Sequence, residues 1–266
     1  MRLKKLAAAA AALVMSTALI AGCGDKEDST SSTGSSDKTS TSTSSGALMQ
    51  DNFAEQIGTA MQKAGSVHVK LDASGVMTAE GDQTMGDNPA DTAMTLSMSV
   101  SGMTIDMVLA EQKLFMKMPQ LTGDKYAVVD LTDTSNPLTK EFGSLAQQSN
   151  VSQQFDAFGE AVQTFEKVDD AQKIDGVDTQ AYDVTVDARK LGEVQGQDTT
   201  GLPEVVTYRF YVGDDNLVRR MTMDMMGQSL QMDFTDWGKD VSITAPGADE
   251  ITDLDLGAMM SGAGAG

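Results

Sequence analysis

The sequence predicts an α+β domain: a curled antiparallel β-sheet of about ten strands, a half-barrel, with helices covering its concave apolar face. Three observations carry this prediction. Long stretches alternate apolar and polar side chains with period two, the pattern of strands with one buried and one solvated face. Short turn signals separate those stretches, so neighbouring strands run antiparallel. Only three stretches repeat at helical spacing. About ten strands at ~4.8 Å spacing span nearly ~50 Å, whereas three helices at ~10 Å separation cover about 30 Å. A flat sheet would leave the rest of its apolar face bare and prone to association, so it must curl around the helices.

The folded part is expected over residues 47–257, behind two segments of different character. Residues 1–22 carry Arg2, Lys4 and Lys5 ahead of an Ala/Leu-rich run from Leu6 to Ile20. That run falls short of the ~20 residues a membrane span needs and fits an export signal. It ends in Leu19-Ile20-Ala21-Gly22-Cys23, which is similar to the lipobox of bacterial lipoproteins. The resemblance implies that Cys23 carries diacylglycerol and becomes the mature N-terminus, anchoring the protein to the outer face of the cell membrane. At about 0.8 kcal/mol per buried methylene, two long acyl chains hold it there stably. From Gly24 to Gly46 no apolar side chain occurs, so residues 23–46 cannot bury enough surface to order themselves and read as a tether. As a flexible coil it spans roughly 25 Å. Residues 258–266 read as a flexible tail.

Within the domain, Phe53, Ile57, Ala60, Met61 and Ala64 share one face of a helix expected over Ala47–Ala64. Alternation then begins. Val69 and Leu71 face one way in the first strand, and Met94, Leu96 and Met98 do so in the next. Ser101-Gly102 makes a tight turn into Met103, Ile105, Met107 and Leu109, and Leu114, Met116 and Met118 continue to Pro119. Asn136-Pro137 is a favoured helix start, with Leu138, Phe142 and Leu145 on one face. A second helix is expected to carry Val151, Phe155, Phe158, Val162 and Phe165. Strands resume from Val168 to Ile174, turn at Asp175-Gly176 and return through Tyr182, Val184 and Val186. After a polar loop at Gly192–Gly201 come Thr207–Val212, Leu217–Met226 with Met221, Met223 and Met225 on one face, and Gln228–Asp236 with Met232. Trp237, Val241 and Ile243 are expected to close this meander.

Composition excludes much chemistry. There are 39 acidic against 19 basic side chains, a formal charge of −20, which repels phosphate backbones and argues against nucleic-acid binding. One Cys and one His cannot assemble a structural zinc site or a Cys-His dyad. His68 falls on a polar strand face, where a solvated imidazole is the ordinary state. The carboxylates sit mostly in turns and on polar faces, and none is nominated as an acid–base pair. No enzyme activity and no cofactor are expected.

What the chain has in surplus is methionine, nineteen residues, ten of them on alternating strand positions. Three readings compete. Met can simply fill a core; it can line a deformable cleft for acyl chains; or Met221, Met223 and Met225 can form a soft-metal site for copper.

The order of segments resembles the LppX/LprG-type actinobacterial lipoproteins. The marks are Asp175-Gly176-Val177-Asp178-Thr179, Tyr182-Asp183-Val184-Thr185-Val186-Asp187, Asp236-Trp237-Gly238-Lys239 and Ile243-Thr244-Ala245-Pro246. That family is similar in fold to the LolA/LolB lipoprotein carriers. The resemblance implies binding or transfer of an acylated lipid or glycolipid in an apolar cavity at the cell envelope. By alternation the cavity face holds Val69, Leu71, Met94, Leu96, Met98, Met103, Ile105, Met107, Leu109, Met116, Met118, Phe142, Phe155, Phe158, Met221, Met223, Met225 and Met232. The alternative is a packed, non-enzymatic scaffold or signalling module that binds an envelope protein partner.

Overall fold

A computed structural model describes residues 47–85, 92–133, 158–194, 199, 202–225 and 228–254. Helix α1 (Phe53–Ala64) buries Phe53, Ile57 and Met61, one turn apart, and stops at Gly65, whose φ of +77° lets its N–H reach the Met61 carbonyl. It begins six residues later than the expected Ala47. The Asn52 side-chain oxygen accepts the Met49 N–H at 2.8 Å, which folds residues 49–52 into a turn instead.

The strands are β1 (Ser66–Ala73), β2 (Met77–Thr84), β3 (Ala93–Val100), β4 (Met103–Ala110), β5 (Lys113–Lys117), β6 (Ala127–Asp130), β7 (Val162–Val168), β8 (Lys173–Ile174), β9 (Val177–Asp187), β10 (Val205–Gly213), β11 (Val218–Met225) and β12 (Gln228–Thr235). Short helices α2 (Pro119–Thr122) and α3 (Ala188–Val194) lie in connections. The sheet order is β6-β5-β4-β3-β2-β1-β12-β11-β10-β9-β7, with β8 pairing only to β9. All the pairings between these strands are antiparallel. β6 and β7 do not pair, so the curled sheet is an unclosed half-barrel of twelve strands.

Twelve strands replace the roughly ten expected: β2 and β6 carry no readable alternation and β7 was read as helix, while one expected strand, from Trp237, is absent. In β2 (Met-Thr-Ala-Glu-Gly-Asp-Gln-Thr) only Ala79 and Gln83 are buried. Val162 and Phe165, read as helical from their spacing, belong to strand β7. There a register shift between Val162 and Thr164 inserts an extra residue and brings both apolar side chains to the same face. A bulge thus imitates helical period. The helix expected from Asn136 and most of its successor lie outside the described residues; Phe158–Ala161 form a helical turn. The segment from Trp237 to Ile243 is not a strand. Trp237 stacks on Phe234 and donates from Nε1 to the Val218 carbonyl at 3.0 Å, while Ile243 covers an apolar patch of Val108, Ala110 and Phe115 on the convex face.

The registers sort the connections between two ends. At one end lie the β1–β2 and β3–β4 turns, α2, α3 and the start of β10. At the other lie the α1–β1 junction and the β4–β5 and β10–β11 turns. Helix α1 crosses this second end: Asn216 of the β10–β11 turn donates to Gln56 at 3.0 Å, and the Gly238 N–H reaches the Ser66 carbonyl beside the helix terminus.

The curl has a local cause at Gly81. A Cβ there would lie 1.9 Å from the Thr95 carbonyl oxygen and 2.9 Å from the Leu96 Cα. Gly81 pairs with Val69, so the missing side chain would point to the concave side, where the β3 backbone folds over β2.

Candidate functional site

The concave face is built of cross-strand rows. One row runs Ile105–Met98–Ala79–Leu71–Met232–Met221–Phe210–Tyr182, each residue opposite the next. A second holds Leu96, Met107, Met116 and Ala127, and a third Met94, Leu109, Leu114 and Val129. Together with α1 they form one continuous apolar cluster.

Of the residues placed on this face from alternation, Val69, Leu71, Met94, Leu96, Met107, Met221, Met223 and Met232 are buried in that cluster. Met98, Ile105, Leu109, Met116, Met118 and Phe158 pack against it partly buried. Met103 pairs with Val100 on the same side but is exposed at the turn. The side chain of Met225, and Cys23, Phe142 and Phe155 entirely, lie outside the described residues.

Of the aromatic flank, the sequence reading placed only Phe158 on this face. Phe53 lies 5.0 Å from Phe165 and 5.2 Å from Phe210, centroid to centroid; Phe158 contacts Tyr208 and Phe210, and Phe165 stacks on Tyr182. The lining is therefore aromatic-poor along β3–β5 and β11 and aromatic along the β7–β9–β10 flank. The alternating Tyr182-Val184-Val186 run contained the signal. Burial pushes the pKa of both Tyr182 and Tyr208 above the ordinary phenol range, so both present neutral hydroxyls.

One cation is also buried. Arg219 sits where the β10–β11 register shifts, pairs through Nη2 with Asp215 at 2.6 Å, and leaves Nη1 buried without a hydrogen-bond partner. A buried unmade hydrogen bond costs about 1–3 kcal/mol, more than the ~1 kcal/mol expected from an ion pair with half-exposed Asp215. Arg219→Met, which keeps the volume, is therefore expected to match or exceed the parent midpoint in thermal unfolding; a fall of several degrees would contradict this balance.

The convex face is polar and cross-linked. Arg209 holds Asp183 through Nε at 2.6 Å and Nη2 at 2.8 Å, and Asp170 through Nη1 at 3.0 Å. The Tyr211 hydroxyl donates to Asp170, holding that carboxyl below its usual range. His68 Nδ1 lies 2.7 Å from Asp82 on this outer side. A groove of about 550 Å³ over β1–β3 is lined by Lys70, Glu80, Ser97, Ser99 and Asp233 among others. No cluster of three or more His, Cys, Asp or Glu suited to a metal occurs among the described residues.

This half-barrel with an apolar concave face and a polar convex face matches a known design. The family model described as LppX_LprAFG lipoprotein matches residues 50–243. The chain belongs to that family. Among solved structures, lipoprotein LppX of Mycobacterium tuberculosis superposes with a TM-score of 0.52 at 15% identity, covering 73% of this chain and 98% of that one. LprF from Mycobacterium bovis gives 0.53 at 14% identity, covering 73% and 97%. At such identities the likeness speaks for the fold. A comparison with curated protein sequences gives no match. Membership of the LppX_LprAFG family places the chain among exported, envelope-associated lipoproteins with a lipid-binding fold. No helix among the described residues is long and apolar enough to cross a membrane.

Proposed function

We propose that this LppX_LprAFG lipoprotein binds an acylated lipid or glycolipid against its concave apolar face and carries it at the cell envelope, tethered through acylated Cys23. The observation that carries the reading is the unbroken apolar face running from β6 to β7, walled by adaptable Met on one flank and by aromatic rings on the other. Unbranched thioethers follow an irregular chain, and the rings give a firm wall. The two phenols supply polar groups that orient a ligand on such a face. The protein acts without chemistry of its own: His68 is engaged by Asp82 on the outer side, away from the hollow. The test is uptake of a fluorescent long-chain acyl probe by the full chain carrying Cys23→Ser. Saturable uptake competed by unlabelled lipid is the expected result; absence of uptake opposes it.

A second reading, a module that binds an envelope protein, draws on the polar groove over β1–β3. Under that reading, substitutions in the groove would abolish function while uptake stayed irrelevant to it.

A further inference from the structure

Five large apolar side chains are exposed among the described residues, and four of them lie at the same end of the half-barrel. Val76 is in the β1–β2 turn, Met103 follows the β3–β4 turn, Leu121 is on α2, and Val205 opens β10. Each is between 43% and 54% exposed. They come from four separate connections, yet the registers bring all four connections to one rim: Met77 faces Val100, Val100 faces Met103, Asp106 faces Lys117 ahead of α2, and Asp187 faces Val205. Opposite them, α1 crosses the other end.

We infer that this rim is a membrane-docking edge, on which the four side chains enter the outer layer of a lipid bilayer. Three features favour a bilayer over a protein. The residues are spread along the rim from α2, beside β5, to β10, which suits a flat and deformable partner. The rim is continuous with the apolar concave face through Met77 and Met98, which gives an acyl chain an apolar path between bilayer and face. The charges beside the rim are mixed, with Asp124, Lys125, Arg189 and Glu204 all exposed. Such an edge suits a zwitterionic surface, and the chain's charge of −20 disfavours a strongly anionic one. Four side chains alone dock weakly. The proposal rests on the lipid-carrier reading for its purpose and on the Cys23 tether for the high local concentration that makes weak docking sufficient.

The test uses the absence of any cysteine but Cys23. In the full chain carrying Cys23→Ser, a single environment-sensitive fluorophore is placed through Met103→Cys, through Leu121→Cys or, at the opposite end, through Gln112→Cys. Vesicles of phosphatidylcholine with quencher lipids report depth. A blue shift and quenching at 103 and 121, with none at 112, is expected. A second variant, Val76→Ser with Val205→Ser, should lower the vesicle-bound fraction at least severalfold while leaving the unfolding midpoint in place. Equal responses at both ends, or none at the rim, would overturn the proposal. So would shielding of the rim labels by concentrated protein alone, which would make the rim an interface between copies. Acyl-probe uptake is read on the same samples: docking without uptake contradicts the carrier reading alone, and uptake without docking contradicts the rim alone.

Discussion

Gly81→Ala is expected to cost more stability than any other single-methyl addition in the sheet. By strand propensity the change should be mildly favourable, since Gly is the poorer residue in a strand interior. The structure reverses the sign. The new Cβ would sit 1.9 Å from the Thr95 carbonyl oxygen, and the obstacle is main chain, so no rotamer change relieves it. The β2–β3 pair must part by more than an ångström or the curl must relax, and either change propagates through Leu96 and Met107 on the far strands. Overpacking of this kind costs ~1–3 kcal/mol and at times more; a backbone clash belongs at or above the top of that range. Urea unfolding is the measurement. Gly75→Ala is the control, because Gly75 has a φ of +72° but nothing within 4 Å of its Cβ, and its cost should be about 1 kcal/mol. Equal losses at the two positions would refute the role assigned to Gly81.

Met107→Asp is expected to reduce acyl-probe uptake by at least tenfold, a loss of about 1.4 kcal/mol or more in binding. Met107 is buried between Leu96 and Met116 in the middle of the Met-rich flank. An acyl chain lying there would meet a carboxylate with no partner, and burying an unpaired charge is strongly unfavourable. In a carrier the hollow must open to exchange its ligand, so the carboxylate can find water in the empty state. A lowered but still cooperative unfolding transition, together with the loss of uptake, is therefore the expected pair of results. A fully packed core would instead lose its cooperative transition. Met107→Leu, nearly equal in volume, should leave both readouts close to the parent.

The half-barrel was legible where alternation was strong. Met94-Leu96-Met98 and Met103-Ile105-Met107-Leu109 fixed two strands, their facing and their turn, and the size of the sheet against the few helices required the curl. The turns at Ser101-Gly102 and Asp175-Gly176 adopt the paired positive φ values that such dipeptides favour. What escaped did so for physical reasons. β2 is held by its neighbours on both sides, so its polar sequence needed no periodicity of its own. β7 hid behind a bulge that spaces Val162 and Phe165 like helix residues. The segment after Trp237 looked like a strand because Val241 and Ile243 alternate with polar residues, but Ile243 and Ala245 cover Val108 and Phe115, which face outward from strands buried on both sides. In the site, the Met flank was visible from sequence. The aromatic flank needed knowledge of which strands neighbour which, since Phe53, Phe165, Tyr182 and Phe210 meet across long sequence separations. Arg219 offered no sign at all: its burial follows from a register shift.

The surplus of methionine with which the sequence is marked acquires a location in the structure, on one flank of a continuous apolar concave face. The central claim is that the hollow holds lipid. The most direct measurement is mass spectrometry of organic extracts from the full chain purified with Cys23→Ser, so that no covalent acyl group contributes. The account predicts a reproducible acylated lipid in the parent extract, strongly reduced in Met107→Asp prepared in parallel; extracts free of lipid in every preparation would contradict it.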